Sequence, residues 1–125
     1  MDVTEPGAGH RPECEKVSRV LSRIGDKWSV LVIMLLRERA QRFNELKRGI
    51  GNISQRMLTL TLRNLERDGL VTRTVTPSIP PRVDYALTEL GHSLAEPVQA
   101  LGAWAFRHLD HIDAAQHRYD TRADA

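Results

Sequence analysis

The chain has 125 residues, of which 41% are hydrophobic and 27% charged, the size and balance of one globular domain. Its longest apolar run, residues 30–36, is far shorter than the roughly 20 residues of a membrane-spanning helix, and residues 1–13 lack a secretory signal. We therefore expect a cytoplasmic protein without a membrane partner. The single cysteine, Cys14, excludes an internal disulfide and a cysteine-rich zinc site.

The first half of the chain predicts a flexible arm followed by four helices, since its apolar residues recur at helical spacing. The arm covers residues 1–13, and the helices cover residues 15–24, 27–38, 43–48 and 54–68. Asp26 and Ser54 are suited to cap the second and fourth helices, while Gly25, Gly49 and Gly69 are suited to end the helices that precede them.

The second half predicts a β-hairpin and one long helix. The β-prone residues 70–76 and 82–87 flank a proline-rich loop. The last helix is expected from Thr88 to about Gln116, with Pro97 kinking it or breaking its first turns. This order predicts a mainly α winged helix-turn-helix with N- and C-terminal dimerisation helices, a domain over residues 14–117 and a frayed tail over residues 118–125.

Basic residues are concentrated in the middle of the chain. Residues 37–82 hold ten Lys or Arg and four acids, a net charge of +6, whereas the rest holds eight bases and twelve acids, a net charge of −4. This asymmetry is typical of a protein that binds a polyanion, although a solvated basic surface would give the same count.

The predicted fourth helix has one apolar side, with Leu58, Leu62 and Leu65, and an opposite side that is nearly free of acids. Arginine and glutamine side chains on that opposite side match the base edges of a DNA major groove. The proposed DNA contacts are Lys27, Arg42, Ser54, Gln55, Arg56, Thr59, Leu60, Arg63, Arg67 and Arg82. The alternative for Ser54 is that it only caps the helix. The alternative for the other three is that they are solvated surface charges: Lys27, Arg42 and Arg82.

A heptad-like stripe along the last helix predicts a subunit interface, joined by apolar residues of the first helix. The proposed interface residues are Val17, Val20, Leu21, Leu94, Val98, Leu101, Trp104, Ala105, His108 and Ile112. The alternative is that the stripe packs only on its own domain. His108 and His111 are spaced to share a metal ion, but no further ligand supports this, and we expect neither a metal nor a cofactor.

Several motifs in order resemble the HxlR family of bacterial winged-helix regulators over residues 13–110. Besides Cys14, they are IGDKW at 24–28, RFNEL at 42–46, ISQRMLT at 53–59, LRNLERDGL at 62–70, PPRVDY at 80–85 and LTELG at 87–91. The resemblance implies a transcription factor that binds a palindromic DNA operator as a homodimer, and we expect a repressor. In some members a cysteine at the position of Cys14 senses an electrophile or an oxidant.

This interpretation has two alternatives, a protein-binding module and an enzyme. A winged-helix module that binds protein and has no redox sensing would favour an acidic or apolar outer face on the fourth helix, and the face is basic. An enzyme is not expected, because the sequence has no glycine-rich phosphate loop, no nucleophile elbow and no convergent pair of acids. For Cys14, a structural cysteine at a helix start is the alternative to a sensor.

Overall fold

The computed structural model describes residues 12–122, which form five helices and a three-stranded antiparallel sheet. The elements are α1 Pro12–Gly25, α2 Lys27–Leu36, β1 Gln41–Arg42, α3 Phe43–Ile50, α4 Gln55–Arg67, β2 Val71–Thr76, β3 Arg82–Leu87 and α5 Glu89–Thr121. The predicted winged helix-turn-helix is thus confirmed, with α3 and α4 as the helix-turn-helix and the β2–β3 hairpin as the wing. None of the helices in residues 12–122 is both long and apolar enough to cross a membrane.

Both predicted helix caps are present. The Asp26 carboxylate accepts hydrogen bonds from the Ser29 backbone N–H at 3.3 Å and from the Ser29 hydroxyl at 2.7 Å. Ser54 Oγ accepts the Met57 backbone N–H at 3.0 Å. These bonds satisfy amide groups that have no partner inside a helix, and they fix where α2 and α4 begin.

Two helices extend beyond their predicted ends. Helix α1 begins at Pro12, inside the predicted arm, because proline and the acidic Glu13 and Glu15 suit a first helical turn. Helix α5 continues to Thr121, so residues 118–121 are helical where we expected a frayed tail. Neither glycine nor proline interrupts it there. Residues 1–11 of the arm and residues 123–125 of the tail lie outside the described residues.

The predicted end of α3 at Gly49 is wrong, and so is a break of the last helix at Pro97; a kink at Pro97, the other alternative, stays a prediction. Helix α5 passes through Pro97 as one continuous 33-residue helix, since proline removes a single N–H and the turns on both sides stay bonded. Helix α3 passes through Gly49 and ends at Ile50, and the next residue, Gly51, has a φ of 97°, a conformation that glycine adopts without strain. A Cβ at Gly49 would lie 2.9 Å from Leu35 Cδ1, so this glycine allows α3 to approach α2 closely.

The hairpin is extended by one strand that the sequence did not predict. Strand β1 pairs antiparallel with β3, with Gln41 opposite Tyr85, which gives the order β1–β3–β2. Gln41 is buried and its Nε2 donates to the Leu35 carbonyl at 2.7 Å. Two polar residues do not show the alternation of apolar and polar side chains that predicts a strand. Here the hydrogen bond from Gln41 satisfies a buried polar side chain where a strand usually buries an apolar one.

The core joins α2, α3 and α4 to the sheet and to the start of α5. Its buried apolar cluster is Val32, Ile33, Leu36, Leu46, Ile53, Leu58, Leu62, Leu65, Leu70, Val71, Leu87 and Ala95. Helix α4 contributes the face that its periodicity predicted, and Thr61 on the same face is also buried. Since this side of α4 is held in the core, its opposite side must face outward.

The end of α4 is fastened to the start of α5. Thr88 donates its backbone N–H to the Leu70 carbonyl at 3.0 Å and its hydroxyl to the Gly69 carbonyl at 2.7 Å. A Cβ on Gly91 would lie 2.2 Å from the Leu70 carbonyl oxygen, so only glycine allows this approach. The two helices therefore meet in a close junction, made of residues 69–70 and 88–91.

Candidate nucleic-acid interface

The outward face of α4 is formed by side chains that the sequence singled out. Gln55, Arg56, Leu60 and Arg63 are exposed on this face. Arg56 and Arg63 make no ion pair within residues 12–122, so their guanidinium donors are available to another molecule. About 10 Å of helix separates the two positions.

Two hydroxyl groups near the start of α4 differ in what they can still bond. Ser54 Oγ uses a lone pair to accept the Met57 N–H, so its own proton can be donated elsewhere. Thr59 donates its hydroxyl proton to the Gln55 carbonyl at 2.9 Å. Thr59 can therefore offer an outside molecule only an acceptor oxygen and a methyl group.

The sheet adds a basic residue that the sequence analysis did not select. Arg73 of β2 lines a concavity of about 300 Å³ together with Arg63, Glu66 and Tyr85. In the sheet, Arg73 lies opposite Tyr85. Its position in a basic segment and in a predicted strand was the available signal, but only the register of the hairpin brings it beside α4.

The wing brings together two arginines that are 40 positions apart in the chain. Arg42, before α3, and Arg82, at the start of β3, line one cavity of about 430 Å³ with Asn44 and Ser78. Arg82 Nε lies 3.1 Å from Asp84 Oδ2, in a pair whose side chains are partly exposed. The arginine keeps its outer guanidinium nitrogens for a further partner.

A capping carboxylate orders the backbone beside Arg42. The Arg42 backbone N–H donates to Glu45 Oε1 at 2.9 Å. This hydrogen bond lowers the pKa of Glu45 below its ordinary 4.5, and the positive charges of Arg39, Arg42 and Arg48 lower it further against the effect of desolvation. Glu45 is therefore ionised at neutral pH and holds the first turn of α3 in place.

Two further proposed DNA contacts have other described neighbours. Lys27 Nζ lies 4.3 Å from the centre of the Trp28 ring, and no described contact links it to the outward face of α4. Arg67, at the far end of α4, lines a groove with Arg19 and Arg23 of α1. The structure thus places Arg56, Arg63 and Arg67 along α4 and groups Arg42 with Arg82, while Arg67 also lines the groove beside α1.

Part of the predicted interface stripe packs inside the domain, and the rest is exposed to solvent. Val98 is only 3% exposed and Leu94 is half-buried against the core, so both are used inside the chain and Val98 is not part of an exposed surface. Leu101 is 60% exposed and Trp104 50%. None of the described α5 residues after Val98 is buried, so the alternative that the stripe packs only on its own domain does not hold there.

Further apolar side chains accompany the exposed part of the stripe. Val17, Val20 and Leu21 are all more than half exposed on α1. Phe106 of α5 is 78% exposed, but it lies off the heptad positions that predict the interface. Together with Leu101, Trp104, Ala105, His108, Leu109 and Ile112, these residues of α1 and α5 form what we call the apolar stripe.

Two side chains of the stripe support each other. The rings of Trp104 and His108 stack with their centres 4.5 Å apart, and His108 Nδ1 lies 2.7 Å from the Trp104 carbonyl oxygen, to which its N–H can donate. Among residues 12–122 there is no group of three or more side chains placed to hold a metal ion, so the pair His108 and His111 finds no third ligand there.

Cys14 lies within the first turn of α1. Its side chain is half-buried and forms no disulfide. It lines an open cavity of about 760 Å³ with Lys16, Ser18 and Arg19. A free thiol beside an open cavity can be reached by a small reagent.

Comparison with known proteins places these features in a family. The model of the HxlR-like helix-turn-helix family matches residues 23–113. The uncharacterized HTH-type transcriptional regulator YtfH of Escherichia coli (strain K12) is 40% identical over 97 residues, which cover 78% of this chain and 77% of the relative. The uncharacterized HTH-type regulator YdeP of Bacillus subtilis (strain 168) is 41% identical, with 78% and 76% covered.

Solved structures give the same result. The transcriptional regulator YtfH from Salmonella typhimurium has a TM-score of 0.76 and 36% identity, covering 81% of this chain and 90% of that one. The redox regulator HypR in its reduced form has a TM-score of 0.74 and 39% identity, covering 79% and 98%. The reduced form of the regulator YodB from Bacillus subtilis has a TM-score of 0.65 and 38% identity, covering 77% and 91%.

Proposed function

Because this chain belongs to the HxlR-like helix-turn-helix family of transcriptional regulators, we propose that it binds double-stranded DNA in the cytoplasm as a homodimer and represses transcription from a palindromic operator. The observation that carries this proposal is the outward face of α4, where exposed arginines have no ion pair in the described part of the chain. Such a face is unusual for a surface helix, which mixes both charges.

Helix α4 enters the major groove in this proposal. Residues at the start of a recognition helix approach the base edges, so Gln55 and Arg56 read bases, and Leu60 contacts a thymine methyl group. Ser54 donates its free proton to a phosphate oxygen, a contact that orients the protein without reading sequence.

The remaining cations contact the DNA backbone. Arg63 and Arg73 line one concavity between α4 and the sheet, and Arg42 and Arg82 share the cavity between α3 and the wing. Each pair is suited to phosphate groups, because a guanidinium presents a planar set of donors.

The apolar stripe forms the dimer interface. Exposed aromatic and aliphatic side chains of one α5 pack against those of a second copy, with Val17 and Leu21 of α1 beside them. A two-fold axis through this interface presents two α4 helices, which would read half-sites about one helical turn, roughly 34 Å, apart. The operator is palindromic because the protein is symmetric.

Footprinting tests the proposed function. DNase I digestion of the DNA upstream of the gene should reveal two protected half-sites about 10 base pairs apart, centre to centre. A variant with Arg56→Ala should lose the footprint at concentrations where Arg107→Ala, which removes an exposed arginine of α5 outside this face, retains it. A footprint unchanged by Arg56→Ala, or no protected region at all, would contradict the proposal.

We also propose that Cys14 makes operator binding responsive to oxidants or electrophiles. A half-buried free thiol on α1, beside the apolar stripe, supports this, and among the similar structures are HypR, described as a redox regulator, and YodB treated with diamide. Oxidation by diamide would take two electrons and two protons from two thiols, reducing the N=N bond. With one cysteine per chain, the disulfide joins two chains or one chain and a small thiol.

Treatment with diamide should alter operator affinity only in protein that carries the Cys14 thiol. Wild-type protein treated with diamide should shift its operator binding curve, and Cys14→Ser should give the same curve before and after treatment. If Cys14→Ser responds to diamide as the wild type does, the thiol is not the sensor.

A further inference from the structure

A groove of about 720 Å³ lies between α1, the end of α4 and the start of α5. Its lining includes three leucines, Leu70, Leu90 and Leu94, of which Leu90 is 57% exposed. Its rim carries three arginines, Arg19 and Arg23 from α1 and Arg67 from α4. The volume lies in the range of about 300–1,000 Å³ that is typical of small-molecule sites.

The charges of the rim are unbalanced. Arg23 Nε forms an ion pair with Asp68 Oδ2 at 2.5 Å, so one arginine has a partner in the groove. Neither Arg19 nor Arg67 makes an ion pair with any residue between 12 and 122. The groove therefore offers an anion two unpaired guanidinium groups, which bind a carboxylate through paired N–H donors.

We propose that this groove binds a small amphipathic carboxylate, with its apolar body against these leucines and its acidic head between Arg19 and Arg67. An apolar segment of a second copy is the competing occupant, since Val20 of the apolar stripe also lines the groove. A purely apolar partner would cover the two arginines without neutralising them, which is costly, whereas a carboxylate pairs with them.

The groove lies beside the contacts that join α1 to α4 and α4 to α5, so a bound carboxylate can act on all three helices. Asp68 is the C-cap residue of α4, so its pair with Arg23 ties α1 to α4, and the junction of residues 69–70 with 88–91 ties α4 to α5. A carboxylate held between Arg19 of α1 and Arg67 of α4 adds a second tie between these two helices beside the Arg23–Asp68 pair. If the dimer is held through α1 and α5, as proposed above, this changes the spacing of the two α4 helices and hence operator affinity.

Calorimetric titration of the full chain with sodium octanoate tests the site without any DNA. Octanoate should bind, and octanamide, which has the same apolar body without the charge, should bind at least tenfold more weakly. The variant with Arg19→Ala and Arg67→Ala should lose about tenfold or more in octanoate affinity, as expected for charge-assisted hydrogen bonds. A variant with Arg107→Ala and Arg118→Ala removes the same charge outside the groove and should bind octanoate like the wild type.

Three results would overturn the proposal: no octanoate binding by the wild type, equal loss in both double variants, or equal binding of octanoate and octanamide. Sedimentation of the variant with Arg19→Ala and Arg67→Ala distinguishes a bound carboxylate from a segment of a second copy as the occupant of the groove. We expect its assembly state to match that of the wild type, and a change in that state would place the groove inside the subunit interface instead. Because no step involves DNA, a failed titration leaves the proposed operator binding intact, and the reverse also holds.

Discussion

Ser54 illustrates how one side chain can serve both fold and function. The sequence left open whether it caps α4 or contacts DNA, and the hydrogen bond from the Met57 N–H establishes the cap. The cap uses only an acceptor site, so the DNA contact stays a prediction that the geometry permits. Thr59 differs, because its hydroxyl proton is already donated to Gln55.

Gly91 is the residue at which a single methyl group should be most disruptive. Its Cβ would lie 2.2 Å from the Leu70 carbonyl oxygen, which is backbone and already bonded to Thr88. We expect Gly91→Ala to lower the free energy of unfolding by about 2–4 kcal/mol, since the junction must open to accept it.

Gly102→Ala is the matched control, because a Cβ there meets nothing within 4 Å and alanine favours helix over glycine by up to about 1 kcal/mol. Chemical denaturation measures both variants. Equal stability of Gly91→Ala and the wild type would show that the junction is not as close as described.

At the scale of elements, the spacing of apolar residues predicted the helices that pack in the core. It did not predict strand β1, which is held by hydrogen bonds. The buried face of α4 was predictable because its core positions are apolar at helical spacing. Strand β1 was not, because it has two polar residues and is held by pairing with β3 and by the bond from Gln41 to Leu35. The grouping of Arg63 with Arg73, and of Arg42 with Arg82, depends on how the hairpin folds back, which no local pattern contains.

Helix α3 should lose stability in acid through Glu45. Its pKa is lowered in the folded protein, so the stabilisation is fully present above the ordinary pKa of about 4.5 and is lost as the pH falls through the lower folded value. We expect the wild type to be more stable than Glu45→Gln at pH 7 and the difference to shrink by pH 3. Glutamine keeps an oxygen that can accept the Arg42 N–H, so the comparison isolates the charge. A difference that is constant between pH 7 and pH 3 would contradict this role.

At the scale of the whole molecule, α5 continues well past the residues that pack on the core. The sequence predicted the stripe on α5, but it could not predict which part the domain itself covers. The structure divides it after Val98: the first turns pack on the core, and the rest exposes Leu101, Trp104 and Phe106. The proposed homodimer rests on this exposed surface, which a second copy would cover with the same residues.

Leu101→Glu should convert the proposed dimer into monomers. A two-fold axis brings two copies of this position near each other, and burying unpaired charges there is costly, so the dimer dissociation constant should rise at least a hundredfold. Analytical ultracentrifugation measures this, with Gln99→Glu, an exposed position on the other side of α5, as the control that stays dimeric. A wild type that sediments as a monomer would refute the proposed interface.

The most direct test of sequence reading by α4 is a ratio of two affinities. Fluorescence anisotropy gives the affinity for the chain's own upstream DNA and for a shuffled duplex of the same composition, at one moderate salt concentration. We predict that the wild type prefers its own DNA by about a thousandfold or more and that Arg56→Ala reduces this preference at least tenfold, with little change for the shuffled duplex. A wild type that binds both duplexes equally, or an Arg56→Ala variant with undiminished preference, would contradict the account.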